Sequence, residues 1–416
     1  MSFSVYVNII FIVCFNCLFL TFVTADINYD NTNPFINHRG SSKLPVAQAI
    51  QTSSLPKQPI VLQPVVLPQV ASLATHAIQN IPVADSSVGR VIGRRLTTDW
   101  CNQGKAASGV HTLLRGNICL LSAQIVVYAG DSLTLSSQLG SGSNAVISGQ
   151  GTTRLFMIQG TITVVDIILE RGKSNAGGAL AVLKEGINPS GRANLIRTIV
   201  RHCEATQYGG GAYVTSGATL TLDSSTFESN TATQSGGGVM VHAGASIVVI
   251  PGTLSTLLYN KAMLSGGGLY LSDQFTHLKV DGAGTRLVVQ GNSAAQNGGG
   301  VSIVLASSMV VSLGAHVDVI NNTAVAYHGG GLYLESQDTR VDVNGSGTRL
   351  VVQGNSAGQK GGGVYAMLAA SVVVSLGARV DVIDNTAEYG GGFYLISQDT
   401  RLDVSGTGTR LVVQGN

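Results

Sequence analysis

GTRLVVQGNSA begins at Gly284 and returns at Gly347, and GTRLVVQGN returns once more at Gly408. Between these copies lies a second, related unit, SLGAHVDVINNTA (Ser312 to Ala324) and SLGARVDVIDNTA (Ser375 to Ala387). Each unit leads into a glycine triplet and a short apolar run. A sequence that repeats in this way describes a one-dimensional array, in which each unit packs only on its neighbours.

The triplets start at Gly209, Gly236, Gly266, Gly298, Gly329, Gly361 and Gly390, a period of about 30 residues. An asparagine recurs in phase at Asn230, Asn260, Asn292, Asn322, Asn355, Asn385 and Asn416. One period divides into three runs of about five residues, such as LYLES, TRVDVN and TRLVVQGN from Leu332 onward, with no room for a helix. The expectation is an all-β, right-handed parallel β-helix, a three-sided solenoid in which each strand pairs with its equivalent one coil away, at ~4.8 Å. A propeller blade needs four antiparallel strands, and the signatures of such blades are absent. Asparagine tolerates left-handed backbone angles and can stack its amides into an inward ladder, while glycine lets neighbouring coils approach.

The regular coils are expected over 177–416, with a cap and irregular coils over 96–176. Before Gly209 the pattern loosens, but Gln124 to Tyr128, Ser132 to Leu135, Ala145 to Ile147, Leu155 to Ile158 and Thr161 to Ile168 still read as strands. Order is expected to begin near Trp100. Residues 26–95 carry seven of the chain's nine prolines and read as a disordered linker or propeptide. Val5 to Val23 is almost continuously apolar and ends in Val23-Thr24-Ala25. Residues 1–25 therefore read as a secretory signal, the alternative being a retained signal anchor.

Composition narrows the function classes. Of 416 residues, 11% are charged and 53 are glycine, and the formal charge is +2, so nucleic acid is not an expected partner. Two of the five cysteines, Cys14 and Cys17, fall in the signal. In an exported chain Cys101 and Cys119 are candidates for a disulfide, which leaves Cys203 as a buried odd thiol; three unpaired thiols are the alternative. The spacing fits no zinc site, and no metal or cofactor is expected. There is no HExxH motif, no P-loop, no nonapeptide calcium repeat and no nucleophile elbow.

Strand alternation sorts the side chains into faces. After each triplet the first and third residues point to the core, so Tyr213, Tyr270, Tyr333, Tyr365 and Tyr394, with Met240 and Ser302 between, are expected as an exposed stripe. Such a stripe would stack on sugar rings or simply stabilise the ladder. A second stripe, Arg286, His316, Arg349, Arg379 and Arg410, faces out and is countered by Asp318 and Asp381; it would grip sulfated or acidic glycans, or serve as a solvated face. Asp338, Arg340 and Asp342 recur as Asp399, Arg401 and Asp403, and repetition argues for structure over catalysis. An enzyme would need a groove with non-repeated carboxylates, and in the less regular coils before Gly209 Asp166, Glu170 and Arg171 cluster. Asn321 and Asn344 open glycosylation sequons.

GGAL at Gly177, GGAY at Gly210 and FESN at Phe227 resemble the GGA[ILV] and FxxN motifs of the chlamydial polymorphic outer-membrane proteins, and more widely the right-handed parallel β-helix surface proteins. The resemblance covers residues 120–416. It implies an exported, cell-surface passenger of the outer membrane, acting in adhesion through glycans or host-surface molecules. Later copies depart from the pattern, with GGG for GGA and Val or Leu for Phe. The repeat stops at Asn416 part-way through a coil, so the last coil is expected to be incomplete, and a membrane link would come from a missing C-terminal anchor or the N-terminal signal anchor. Two further readings share the fold: a polysaccharide lyase or glycoside hydrolase, and a structural coat or wall protein.

Overall fold

The computed structural model describes residues 108–416 except Pro189, and all of the described regular structure is β. The expected signal, the proline-rich segment, Trp100 and Cys101 lie outside the described residues. Three parallel sheets run the length of the array, with eleven, ten and eleven strands, and a short fourth ladder of seven strands lies beside them. One coil shows the order: Val301–Val304 on face A, Ser308–Ser312 on face B, His316–Ile320 on face C, then Thr323–Ala324 in the short ladder. The chain then re-enters face A at Leu332–Glu335, in register with Val301–Val304. Successive coils advance by 30 to 33 residues at the ladder asparagines. The fold is thus a parallel β-helix of about thirty residues per lap, as the repeat predicts.

Alternation places one side of every strand inside the tube. On face C, Leu287, Val289, Val317, Val319, Leu350 and Val352 are buried, and on face A so are Val301, Ile303, Leu332 and Leu334. These short β-branched and leucine side chains fill a narrow interior in one continuous core.

The corners are where backbone groups lose their sheet partners, and polar side chains replace them. Asn230, Asn260, Asn292, Asn322, Asn355 and Asn385 stack inside the third corner. In each step the amide Nδ2 donates to the next asparagine Oδ1, for example Asn292 to Asn322 at 3.0 Å and Asn322 to Asn355 at 3.0 Å. The same Oδ1 also accepts the backbone N–H of the preceding asparagine. Two threonine ladders hold the other corners. Thr276, Thr339 and Thr400 accept from Gly244, Ala306 and Ala369 N–H, and Thr285, Thr348 and Thr409 accept from Gly252, Gly314 and Gly377 N–H. A shorter inward set works within the earlier coils: Ser225 and Ser255 accept from Thr198 and Ser225 N–H, and the Thr198 hydroxyl donates to the Val164 carbonyl.

The glycine triplet works by close approach. A Cβ on Gly331 would lie 2.7 Å from the Gly363 carbonyl and 3.0 Å from Asn355 Nδ2, so no side chain fits between coils there. The short ladder was not anticipated from the three-run division of the period. It consists of residue pairs such as Thr323–Ala324 and Ser356–Ala357, too short to give a periodic signal.

Candidate functional site

Two outward rows carry the side chains singled out by sequence, and the structure aligns both. Tyr213, Met240, Tyr270, Ser302, Tyr333, Tyr365 and Tyr394 are consecutive partners across face A. Their exposure is not as expected. Tyr333 and Tyr365 are only 6% and 4% exposed, and Tyr213, Tyr270 and Tyr394 are half-buried. The cause is mutual stacking plus a side wall. The rings of Tyr333 and Tyr365 lie parallel at 5.4 Å, and those of Tyr365 and Tyr394 at 5.7 Å. His328, from the segment before the triplet, stacks on Tyr365 at 4.5 Å, and Lys360 covers Tyr394 at 4.9 Å. Val304, Tyr333 and Tyr365 form a second apolar cluster outside the tube. The row is therefore a packed spine, and its two central rings offer no face to a sugar.

The tyrosine hydroxyls are held along the spine. Tyr333 donates to Glu335 Oε2 at 2.8 Å, and Tyr365 bonds Met367 Sδ at 3.5 Å. Burial first, and then the neighbouring Glu335 carboxylate, push the Tyr333 phenol pKa up. Burial likewise raises the Tyr365 phenol, so these two central rings keep their protons at physiological pH.

The basic row differs. Arg286, His316, Arg349, Arg379 and Arg410 are likewise consecutive partners on face C, and they reach solvent. Asp381 sits beneath them with no exposed side chain, taking Arg349 at 2.6 Å and Arg379 at 2.7 Å, while those arginine side chains remain 42% and 44% exposed. Asp318 takes Arg286 at 2.6 Å. His316 Nε2 lies 3.1 Å from the Gly347 carbonyl. Two buried carboxylates thus hold three guanidinium groups whose side chains stay about half exposed, and Arg410 extends the row. Fixed planar forks of this kind suit sulfate and carboxylate groups.

The carboxylates suggested for catalysis are occupied. Asp166 holds Arg197 through two bonds of 2.8 Å, and Glu170 holds Arg201 at 3.0 and 2.8 Å. Arg171 lies at the edge of this pair, 4.0 Å from Glu170. In the repeated cluster Arg340 pairs with Asp342, and Arg401 with Asp403 at 2.9 Å. Asp338 and Asp399 sit in turns at positive φ of 63° and 62°. Burial raises the Asp342 carboxyl pKa, opposed by Arg340.

Cys119 is disulfide-bonded, while its proposed partner Cys101 lies outside the described residues. Cys203 is a free thiol inside the tube, pushed up to about 12 by burial, and is therefore unreactive at neutral pH. Asn321 is exposed at φ 53°, and Asn344 is half-buried at the end of Arg340–Asn344. Among the described residues no three His, Cys, Asp or Glu side chains converge as a metal site.

Sequence reasoning missed the threonine ladders, although their mark is visible: Thr precedes Arg at Thr285, Thr339, Thr348, Thr400 and Thr409. It also missed a chain of Tyr213, His242 and Asp273 on face A. The Tyr213 hydroxyl bonds His242 Nε2, and His242 Nδ1 lies 3.4 Å from Asp273 Oδ2.

The arrangement defines a right-handed parallel β-helix protein. Residues 175–348 match the family described as "Right handed beta helix region", and the coils on either side continue the same register. No curated protein and no solved structure matches the chain.

Proposed function

We propose that this chain is an exported β-helix that adheres by binding anionic glycans or other acidic surface molecules along face C, without turnover on its repeated faces. The observation that carries this reading is the in-register row Arg286, His316, Arg349, Arg379 and Arg410, with Asp318 and Asp381 buried beneath it. Coils repeat at ~4.8 Å, so the row presents cations at a spacing shorter than the Debye length, and they act together on a polyanion. The carboxylates at Asp166 and Glu170 are closed in ion pairs, which favours binding over hydrolysis there.

Export is supported by the apolar run Val5 to Val23 and by a disulfide at Cys119, a bond characteristic of oxidising compartments. The GGAL, GGAY and FESN motifs support kinship with the chlamydial surface proteins in particular. A glycan array tests the reading. Sulfated or uronate-rich polysaccharides should bind, with affinity falling as salt rises, and neutral glycans should not. Arg379→Gln with Arg410→Gln should weaken binding at least tenfold. Turnover of a bound glycan would favour the enzyme reading, and silence across the array would favour a structural coat.

A further inference from the structure

The tyrosine row of face A and the basic row of face C recur from coil to coil. The Tyr213, His242 and Asp273 chain does not. The positions in register after His242 are Ser272, Val304, Glu335 and Met367. Farther along the same row Tyr333 bonds Glu335 and Tyr365 bonds Met367. An outward constellation that the repeat does not require for packing is where chemistry can be placed on a repetitive scaffold.

The direction of the hydrogen bonds is fixed by valence. The Asp273 carboxylate can only accept, so His242 Nδ1 carries the hydrogen and Nε2 is left as the acceptor. Tyr213 therefore donates its O–H to Nε2, and its oxygen lone pairs are turned away from the imidazole. Asp273 is itself anchored, since its Oδ2 accepts the Ala243 N–H at 3.2 Å. Burial lowers the His242 pKa against the pull of Asp273, and burial raises the Tyr213 phenol against a hydrogen bond from Thr215. At neutral pH the imidazole is an unprotonated base, and the phenol keeps its proton. The titratable groups facing the pair are Tyr208, whose ring stacks on Tyr213 at 6.4 Å, and Asp273.

We propose that Tyr213, His242 and Asp273 form a general-base relay that makes the Tyr213 oxygen a nucleophile toward carboxylic esters of small acyl groups. Tyr213 is half-buried, and its row neighbours Ala181 and Met240 are only 3% and 7% exposed, so an ester must approach over a crowded surface, which favours a short acyl group. Tyr213 Oη attacks the ester carbonyl carbon and the O–C bond forms. The phenol proton passes to His242 Nε2, and Asp273 steadies the imidazolium. Collapse breaks the ester C–O bond, and the departing alkoxide takes the proton from His242. Water, deprotonated by the same nitrogen, then hydrolyses the acyl-Tyr213. The sum is ester plus water giving acid plus alcohol. Tyr213 and His242 are catalytic residues, and Asp273 is a positioning residue. This activity stands apart from polyanion binding on face C, and either can fail without the other.

The test treats the full chain with 4-nitrophenyl acetate, following nitrophenolate release and acetylation of each tyrosine by peptide mass spectrometry. Acetyl should accumulate on Tyr213 ahead of the more exposed Tyr259 and Tyr389. Tyr213→Phe should abolish that label, and His242→Gln should slow it at least tenfold. The rate should rise with pH through a midpoint below the ordinary histidine value and then level off, and Asp273→Asn should move that midpoint lower. Three results overturn the proposal: labelling of Tyr213 no faster than of Tyr259, an undiminished rate in His242→Gln, or a rate that climbs in proportion to phenolate. Should His242→Gln fail to fold, the pH profile and site preference of the unaltered chain decide.

Discussion

Replacing Asn322 by alanine removes one rung from the middle of the amide ladder. Asn322 is fully buried. Its Oδ1 accepts the Asn292 backbone N–H at 2.9 Å and Asn292 Nδ2 at 3.0 Å, and its own Nδ2 donates to the Val289 carbonyl at 2.9 Å and to Asn355 Oδ1 at 3.0 Å. Alanine supplies none of these. The Asn292 N–H, one Asn292 amide proton and the Val289 carbonyl all lose this partner in a dry corner. At ~1 kcal/mol for each stranded group the loss is ~3 kcal/mol, and with heavier desolvation it approaches ~6 kcal/mol. A solenoid contacts only its neighbours, so the damage should stay between the coils of Asn292 and Asn355. Denaturant unfolding by far-ultraviolet dichroism gives the total, and amide exchange gives the location. Gln290→Ala, on the outward side of a neighbouring strand, is the control and should change stability by no more than ~0.5 kcal/mol. An Asn322→Ala protein within ~1 kcal/mol of the parent, or one protected equally in every coil, would refute the reasoning.

Other perturbations should sort by where they strike. Gly331→Ala forces a Cβ to within 2.7 Å of the Gly363 carbonyl and should cost well over the ~1–2 kcal/mol expected at Gly347, where φ is +77° but the nearest atom is 3.7 Å away; thermal melts compare the two. Asp381→Ala leaves Arg349 and Arg379 without their shared carboxylate. Because both guanidinium groups already reach water, the loss should be ~1–3 kcal/mol in denaturant melts, less than for a fully buried pair. His242 has a folded pKa below its unfolded value, so its neutral form stabilises the fold. That contribution is present above pH ~6.5 and is lost as pH falls through the folded value, and His242→Gln should flatten the acid limb of a stability profile.

The architecture was legible because its signals recur. The triplets at Gly298, Gly329 and Gly361 and the asparagines at Asn292, Asn322 and Asn355 keep phase over many laps, and alternation within LYLES or TRLVVQ assigns the inner face. What recurs weakly was lost. The two-residue ladder strands are too short to carry a period. Burial of the tyrosine row depends on how the segment ending at His328 folds against Tyr365, a contact across coils that no local pattern encodes. The relay was hidden for the opposite reason: His242 and Asp273 occur once, and a single histidine two positions after Met240 looks like any surface residue. The basic row and its countercharges Asp318 and Asp381 were visible because they repeat, yet the burial of those carboxylates and their sharing between arginines depend on cross-coil packing that no local pattern encodes.

The amide column also has a sense of direction. Every asparagine hands its proton toward the C-terminal neighbour, from Asn230 to Asn260 and onward to Asn416, and none hands it back. A two-lap cassette copied in tandem therefore joins donor to acceptor at both seams without any residue changing, whereas an inverted one would bring acceptor against acceptor. Lengthening by gene duplication is thus chemically silent at this corner, and the near-identical cassettes beginning at Gly284 and Gly347 are what such growth leaves behind.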